Sequence, residues 1–215
     1  MKRHGLFISG KSKPYVVAHR GNSVVCPENT IAAFKRAFDD GADILETDLQ
    51  VTADGVFVCI HDEEVDRTTN GSGSVSLMDL AEIKTLSASC GFAGFEEERI
   101  PTLAELASIL PRGSIVALEL KSARFLEEAV CRRLIYELDE LAIREKVVVL
   151  SFSSSQLSKV REIAPDTPIG LITTAGLCPP DDTDLLGPVW SLIIRNPFYV
   201  LTAHRRGQAV CPLDP

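Results

Sequence analysis

The chain has 215 residues, of which 45% are hydrophobic and 24% are charged. A chain of this length can bury one sizeable core, so we expect a single domain over residues 1–215. The net charge of −8 argues against nucleic acid or an anionic membrane surface as a general partner, because both attract basic proteins. We find no apolar stretch long enough for a signal peptide or a membrane span, and therefore expect a cytoplasmic protein.

Apolar runs and helical patterns alternate along the chain, which is typical of an α/β barrel with a parallel sheet. Thr30 is the expected N-cap of the first helix, and Gly41 is its expected stop. Helices are clearest at residues 30–40, 124–141 and 154–163. Strands are predicted at residues 15–18, 44–49, 115–120, 147–151, 169–172, 190–194 and 209–211.

The segment after the second strand does not follow the alternation. Residues 56–60 come too soon after that strand for a helical crossover, so we expect them to fold back as an antiparallel hairpin partner. This hairpin would carry His61 to the rim formed by the strand ends. Residues 62–113 then make a turn-rich excursion with short helices near 77–86 and 103–110. We interpret this excursion as a small insertion over the active-site rim.

Charged residues interrupt two strands that are otherwise apolar. Glu46 and Asp48 alternate on the second strand, and Glu119 and Lys121 alternate at the end of the strand over 115–120. Because strand side chains repeat every two residues, the members of each pair point the same way. A strand buried on both faces should carry no charge, so these groups need compensation.

Two explanations would supply that compensation. Glu46, Asp48 and Glu119 would repel one another at one point, and a hard divalent cation that prefers oxygen ligands would remove the repulsion. The alternative is a structural network of ion pairs with Arg20 and Lys121. Two charged strands beside two histidines at strand ends favour a functional site over a purely structural one.

Short charged motifs also follow the predicted strands in a definite order. They are His19-Arg20-Gly21, Pro27-Glu28-Asn29-Thr30, Glu46-Thr47-Asp48, His61-Asp62, Arg67-Thr68-Thr69-Asn70-Gly71 and Glu119-Leu120-Lys121. In order and spacing this set closely resembles the glycerophosphodiester phosphodiesterase family. The likeness runs from about Tyr15 to Ser151, with weaker support beyond.

The resemblance implies a TIM-type (β/α)8 barrel of the phosphatidylinositol-phospholipase-C-like superfamily. It implies hydrolysis of small-molecule glycerophosphodiesters to glycerol 3-phosphate and an alcohol, with Mg2+ or Ca2+ as the cofactor. Matched position by position, the catalytic pair is His19 and His61, the phosphate contacts are Arg20 and Lys121, and the metal ligands are Glu46, Asp48 and Glu119.

The chemistry of a phosphodiester supports the same division of roles. The anion resists nucleophiles, so catalysis needs positive charge around its oxygens, a base for the attacking hydroxyl and an acid for the leaving alkoxide. Imidazole titrates near neutrality, which suits both proton transfers. The residues do not say which histidine is the base. They also do not say whether water or the substrate's own glycerol hydroxyl attacks.

The C-terminal part departs from the family pattern. Relatives usually continue after the segment that matches residues 203–207 with a tryptophan-containing strand and one more βα unit, whereas this chain reaches Pro212 and stops soon after. We therefore expect seven barrel strands, with the last βα unit lacking. A loop or a neighbouring subunit of a homo-oligomer would fill the gap, or the chain is truncated.

Two rival functions would use most of the same residues. One is a phospholipase-D-like lyase or a lysophospholipase of the same superfamily, which would need a wider apolar mouth. The other is a non-catalytic phosphodiester-binding protein, if the incomplete C-terminal part abolishes activity. The intact set of two histidines, two cations and three carboxylates argues against the non-catalytic protein, whereas pocket residues between Asp62 and Gly113 would discriminate the lyase or lysophospholipase.

Structural roles are predicted for the remaining reactive and aromatic residues. We expect Trp190 in the core because it opens an apolar run, and His204 on a helix surface. The six cysteines are scattered without the spacing of a zinc site, and we expect reduced core thiols.

Overall fold

The computed structural model describes residue 8 and residues 13–213, and it shows an α/β fold built around one curled sheet. The strands are β1 (Val17–His19), β2 (Ile44–Val51), β3 (Phe57–Cys59), β4 (Ile115–Leu120), β5 (Val147–Ser151), β6 (Ile169–Thr173), β7 (Leu185–Pro188) and β8 (Ala209–Val210). The α-helices are α1 (Ile31–Asp39), α2 (Leu80–Ile83), α3 (Leu103–Ser108), α4 (Glu128–Glu140), α5 (Ser154–Ile163), α6 (Trp190–Arg195) and α7 (Tyr199–Arg205). Short 3-10 turns cover Val75–Leu77, Ala123–Leu126 and Arg144–Lys146.

The sheet order is that of a barrel that does not close. Seven strands run parallel in the order β1-β2-β4-β5-β6-β7-β8, and β3 pairs antiparallel with β2. The predicted count of seven barrel strands and the predicted hairpin over residues 56–60 are both confirmed. Within the described residues, β1 and β8 do not pair with each other, so the sheet curls but leaves a seam.

Helix α1 has the two ends that the sequence predicts. The Thr30 side chain accepts a hydrogen bond from the Ala33 N–H at 3.2 Å, which satisfies one of the free donors of the first turn. The helix ends at Asp40, and Gly41 follows with a φ of 94°, a conformation that favours glycine. Ala33, Phe34 and Ala37 are buried, so the helix is held by one apolar face against the sheet.

The prediction of a strand at residues 190–194 is wrong. These residues begin helix α6, and the strand is β7, which ends two residues before Trp190. Gly187 and Pro188 within β7 normally argue against a strand, whereas the apolar run from Trp190 matches a strand pattern. The predicted core position of Trp190 is also wrong, because the residue lies just past the strand end and is 47% exposed.

One long predicted helix, over residues 124–141, is interrupted. Residues Ala123–Leu126 form a 3-10 turn, Glu127 is extended, and α4 begins only at Glu128. The insertion helix predicted near 77–86 is likewise reduced to the four residues of α2. In both segments the sequence pattern predicts a helix over more residues than are helical in the structure, because tertiary contacts override local helix propensity.

Two apolar layers cover the two faces of the sheet. The larger layer packs outward side chains such as Leu45, Leu118 and Val149 against the helices. The smaller layer fills the barrel interior below the strand ends and borders a cavity of about 510 Å³ on the side of the open seam. The buried members of this smaller layer are Ile8, Ile44, Ala117, Val148, Leu150, Ile172 and Leu185.

The structure also tests the predicted positions of the cysteines and of His204. All six cysteines are free, but only Cys26, Cys59 and Cys131 are buried, so the expectation of core thiols holds for half of them. His204 lies exposed on α7, as expected. In the part of the chain that the structure describes, no helix is long and apolar enough to cross a membrane.

Candidate active site

The carboxyl ends of β1, β2 and β4 bring the predicted site residues to one edge of the sheet. His19 is the register partner of Glu46 across β1 and β2, and Asp48 is the register partner of Glu119 across β2 and β4. Lys121 follows directly after β4. Because alternate strand residues share a face, Glu46 and Asp48 point together into the barrel.

The three carboxylates form one compact oxygen cluster. One oxygen from each of Glu46, Asp48 and Glu119 lies within 4.8 Å of the other two, and all three residues are buried. Glu46 Oε1 is buried without a hydrogen-bond partner among the described residues, whereas Asp48 Oδ1 and Glu119 Oε1 are paired with the ammonium group of Lys121. A buried unpaired carboxylate oxygen is costly, and a set of oxygen donors suits Mg2+ or Ca2+. The residues present therefore fit a hard divalent cation.

The pKa values of Glu46 and Glu119 are shifted by burial and by the neighbouring charges of the cluster. Burial raises the pKa of Glu46 well above its usual range, and the neighbouring charge of Asp48 raises it further. Burial also raises the pKa of Glu119, although Lys121 acts against that shift. Protonation is thus one way to relieve the repulsion, and a bound cation is another.

Two cations border the cluster without neutralising it. Lys121 Nζ lies 2.6 Å from Glu119 Oε1 and 3.4 Å from Asp48 Oδ1. Arg20 Nε lies 3.4 Å from Asp48 Oδ2, but its guanidinium is shared with Glu28, whose Oε1 is 3.0 Å from Arg20 NH1. The structural ion pairs of the alternative explanation are therefore present. The three carboxylates of the cluster still outnumber Arg20 and Lys121, and Arg20 is shared with Glu28, so ion pairing alone does not balance the charge.

A tight loop after β1 aims Arg20 at the cluster. Arg20 has a φ of 57°, and Gly21 follows with a φ of 82°. A Cβ on Gly21 would lie 2.7 Å from the backbone of Ala33, so only glycine fits against α1. The Arg20 N–H donates to Glu46 Oε2 at 3.0 Å, which ties the loop to the carboxylates.

Asn29 connects the next motif to the same cluster. Its Nδ2 donates to Asp48 Oδ2 at 2.9 Å, and its Oδ1 accepts from Thr47 Oγ1 at 2.7 Å. Asn29 has a φ of 55° and its backbone N–H donates to the Arg20 carbonyl at 3.0 Å. The motif Pro27-Glu28-Asn29-Thr30 thus caps α1 through Thr30, as the sequence predicts, and orients one of the three carboxylates through Asn29, a role that the sequence alone did not assign.

The two histidines reach the cluster from different elements. His19 ends β1, and its Nε2 lies 3.9 Å from Glu46 Oε2. Burial lowers the pKa of His19, and the charge of Arg20 lowers it further, which favours the neutral imidazole. His61 follows the β3 hairpin; its backbone carbonyl accepts from Gln50 Nε2 at 3.3 Å, and its Nδ1 lies 2.6 Å from Asp62 Oδ1.

Arg67, in the insertion, contacts residues of two of these motifs. Its Nε donates to Asp62 Oδ2 at 2.6 Å, and its two terminal nitrogens donate to both oxygens of Glu28 at 2.8 and 2.9 Å. These contacts lower the pKa of Asp62 to about 2, with the hydrogen bond from Arg67 as the main cause. Sequence reasoning placed Arg67 and Glu28 in motifs but gave neither of them a role.

Comparison with known proteins finds a family match over most of the chain. The model of the glycerophosphoryl diester phosphodiesterase family matches residues 19–211. A glycerophosphodiester phosphodiesterase of Caldanaerobacter subterraneus is 44% identical over 189 residues, which cover 87% of this chain and 76% of the relative. The Bacillus subtilis protein YhdW is 39% identical over 163 residues, 74% of this chain and 65% of its own length. The chain thus spans about two thirds to three quarters of these relatives.

Solved structures show the same fold. An Oleispira antarctica phosphodiesterase in complex with the product sn-glycerol 3-phosphate superposes with a TM-score of 0.83 at 28% identity, over 94% of this chain and 85% of that one. A glycerophosphodiester phosphodiesterase of Agrobacterium tumefaciens superposes with a TM-score of 0.80 at 27% identity, over 93% of this chain and 86% of the other. The predicted barrel-type α/β fold is confirmed.

Proposed function

The chain belongs to the glycerophosphoryl diester phosphodiesterase family, and we propose that it hydrolyses glycerophosphodiesters to glycerol 3-phosphate and an alcohol. The observation that carries the proposal is the convergence of three buried carboxylates, two cations and two histidines at one sheet edge. The product complex of the Oleispira antarctica relative supports a glycerol phosphate as the ligand class. We further propose that residues 1–215 form one domain in which residues 62–113 are an insertion at the rim.

Glu46, Asp48 and Glu119 are the residues that would hold a divalent cation, Mg2+ or Ca2+. The compact set of three carboxylate oxygens, of which Glu46 Oε1 is buried without a partner among the described residues, supports this assignment. When bound, the cation supplies positive charge to a non-bridging phosphate oxygen. The unfavourable crowding of the carboxylates in its absence means that protons compete with the metal, so metal affinity should fall as the pH falls.

Arg20 and Lys121 are proposed to bind the phosphate. Both are already held by carboxylates of the cluster, so their charges are fixed at the site before substrate arrives. The planar guanidinium of Arg20 suits a two-point contact with two phosphate oxygens, whereas Lys121 acts as a point charge.

The histidines are proposed to move the protons. One imidazole accepts the proton of the attacking hydroxyl as its oxygen bonds to phosphorus. The other imidazole donates a proton to the alcohol oxygen as the phosphorus–oxygen ester bond breaks, so that a neutral alcohol leaves. Attack by water gives glycerol 3-phosphate directly, whereas attack by the substrate's own glycerol hydroxyl gives a cyclic phosphate that water then opens to glycerol 3-phosphate. The lowered pKa of His19 supports a neutral imidazole there before reaction.

A substrate panel tests this function. We expect release of glycerol 3-phosphate from at least one of glycerophosphocholine, glycerophosphoethanolamine, glycerophosphoglycerol and glycerophosphoinositol in the presence of Mg2+ or Ca2+. Release of the free alcohol and glycerol 3-phosphate should be equimolar. Absence of product with every diester and both metals, from protein that is folded by circular dichroism, would contradict the proposal.

A further inference from the structure

Arg67 links two parts of the candidate site, one at Glu28 and the other at Asp62. It lies in the insertion, 39 residues after Glu28 and five residues after Asp62, and it holds both carboxylates. All three of its nitrogens donate to one or the other. Arg67 is itself outside the carboxylate cluster and has no part in the mechanism above.

One arm of this arrangement leads to His61. The Asp62 carboxylate has two oxygens, of which Oδ1 lies 2.6 Å from His61 Nδ1 and Oδ2 accepts from Arg67 Nε at 2.6 Å. A carboxylate accepts hydrogen bonds only, so the close Nδ1 carries the proton. In the neutral form of the imidazole, Nε2 therefore has no proton, and the Asp62 carboxylate fixes both the tautomer and the orientation of the ring.

The other arm leads to Arg20. Both Glu28 oxygens accept from Arg67, and Glu28 Oε1 also accepts from Arg20 NH1 at 3.0 Å. Arg20 Nε in turn lies 3.4 Å from Asp48 Oδ2. The orientation of the guanidinium proposed to bind phosphate thus depends on a carboxylate that Arg67 holds at two points.

We propose that Arg67 is a positioning residue that orients His61 through Asp62 and Arg20 through Glu28. The planar guanidinium of Arg67 contacts both carboxylates and so links the orientation of His61 to that of Arg20. This inference rests on the proposed function for its catalytic meaning, but the geometry of His61 is testable without any turnover.

The competing explanation is an ordinary surface ion pair. Exposed ion pairs contribute little, and the Arg67 side chain is 46% exposed. Its partner Glu28 is largely buried, however, and the contact is two-pronged. A purely structural role predicts a change in stability only, whereas a positioning role predicts a change in the His61 ring that a stability measurement does not report.

The direct test is nuclear magnetic resonance of histidine labelled with ¹³C and ¹⁵N. The chain has four histidines, and a His61→Gln variant identifies the signal of His61. Above the imidazole titration, the wild-type protein should show His61 protonated on Nδ1 only. Arg67→Met should give a mixture of tautomers, and Asp62→Ala should lose the Nδ1 preference. Arg132→Met, which removes the exposed pair with Glu128 on α4, is the matched control and should show the wild-type signal.

Kinetics then separate the two arms. Asp62→Ala should lower mainly kcat, Glu28→Gln should raise mainly KM, and Arg67→Met should do both, with kcat/KM falling roughly 10- to 100-fold. Arg67→Lys should restore at most one arm, because an ammonium group cannot span both carboxylates. Thermal unfolding of each variant checks that it is folded, and Arg67→Ala, which also removes both contacts, serves if Arg67→Met is not folded.

The outcomes distinguish this inference from the proposed function. If folded Arg67→Met or Arg67→Ala keeps the wild-type His61 tautomer, the positioning role is overturned, whatever happens to turnover. If the tautomer shifts but wild-type protein releases no glycerol 3-phosphate, the proposed function fails while the orienting contact stands. A shifted tautomer together with the predicted split of kcat and KM supports both.

Discussion

The two halves of the sheet differ in what they carry. Strands β1 to β4 and the residues that closely follow them supply all seven residues assigned to the site, from His19 to Lys121, and β2 is buried along all eight of its residues. Strands β5 to β8 supply none of these seven residues, and β8 has only two residues, both half-buried, beside the open seam. The candidate chemistry is therefore concentrated in the first half of the sheet, and we expect the second half to act through stability.

The largest effect is expected from removing one carboxylate of the cluster. Glu46→Gln should abolish turnover and weaken metal binding, because it removes an anionic oxygen ligand. The same change should raise the melting temperature of metal-free protein, because burial and Asp48 make the ionised Glu46 unfavourable at neutral pH. Thermal unfolding with EDTA and with Mg2+ measures both effects. A lower melting temperature in EDTA would argue that the carboxylate is held by structural ion pairs instead.

The next largest effect is expected from the histidines. His19→Ala and His61→Ala should each reduce the rate by roughly 10²- to 10⁴-fold, the usual loss for a general acid or base. Neither should unfold the protein, since both residues lie at the rim. His204→Ala, on the exposed face of α7, is the control and should keep wild-type rates. Near-normal turnover in either rim variant would return that histidine to a structural role.

Lys121→Met should have an intermediate effect. We expect turnover to fall about 10²-fold, the scale of losing one preorganised charge donor, and KM to rise. Metal binding should remain measurable by calorimetry, because the three oxygen ligands are intact. Unchanged kinetic constants would favour the structural pairing of Lys121 with Glu119 and Asp48.

A substitution in the second half of the sheet should lower stability and leave catalysis unchanged. Leu186 is fully buried in β7 and packs in a cluster with Tyr199 and Ala203 of α7. Leu186→Ala should cost about 2–5 kcal/mol in the free energy of unfolding, from lost burial and the cavity left behind. The kcat/KM of the folded fraction should be unchanged. A specific loss of activity at full folding would show that the two halves are not separable.

The smallest effect is the loss of stability expected when the pH is lowered. The pKa of Asp62 is about 2 in the folded protein against 3.8 ordinarily, so its ionised form adds stability above about pH 4. That stability is lost as the pH falls from about 4 to 2, and with solvent screening we expect about 1 kcal/mol. Asp62→Asn should therefore flatten this part of the pH–stability curve, measured by urea unfolding. Equal slopes in wild type and variant would contradict the Arg67 contact.

The sequence predicted the features that have a clear signal in residue type and spacing. Glu46, Asp48 and Glu119 stand out because charges at every second position of an apolar strand have no ordinary explanation, and their convergence follows from parallel pairing. The β3 hairpin followed from a spacing too short for a crossover. Where residue type and spacing both carry information, the prediction and the structure agree.

Other features had no local signal. Strand β7 has four residues, two of them glycine and proline, and a stronger apolar run follows it, so the pattern favoured the wrong segment. The contacts of Arg67 join residues 39 positions apart through side chains alone, and no periodicity reports that. The role of Asn29 depends on a positive φ that only the packed loop imposes.

The most direct test of the central claim is a metal titration of stripped protein. Protein treated with EDTA and then desalted should release no glycerol 3-phosphate from a glycerophosphodiester that the untreated enzyme cleaves. Added Mg2+ or Ca2+ should restore turnover with a stoichiometry of one ion per chain, and Glu46→Gln should not respond. Full turnover by wild-type protein that elemental analysis shows to be free of metal would contradict the assignment of Glu46, Asp48 and Glu119 as metal ligands.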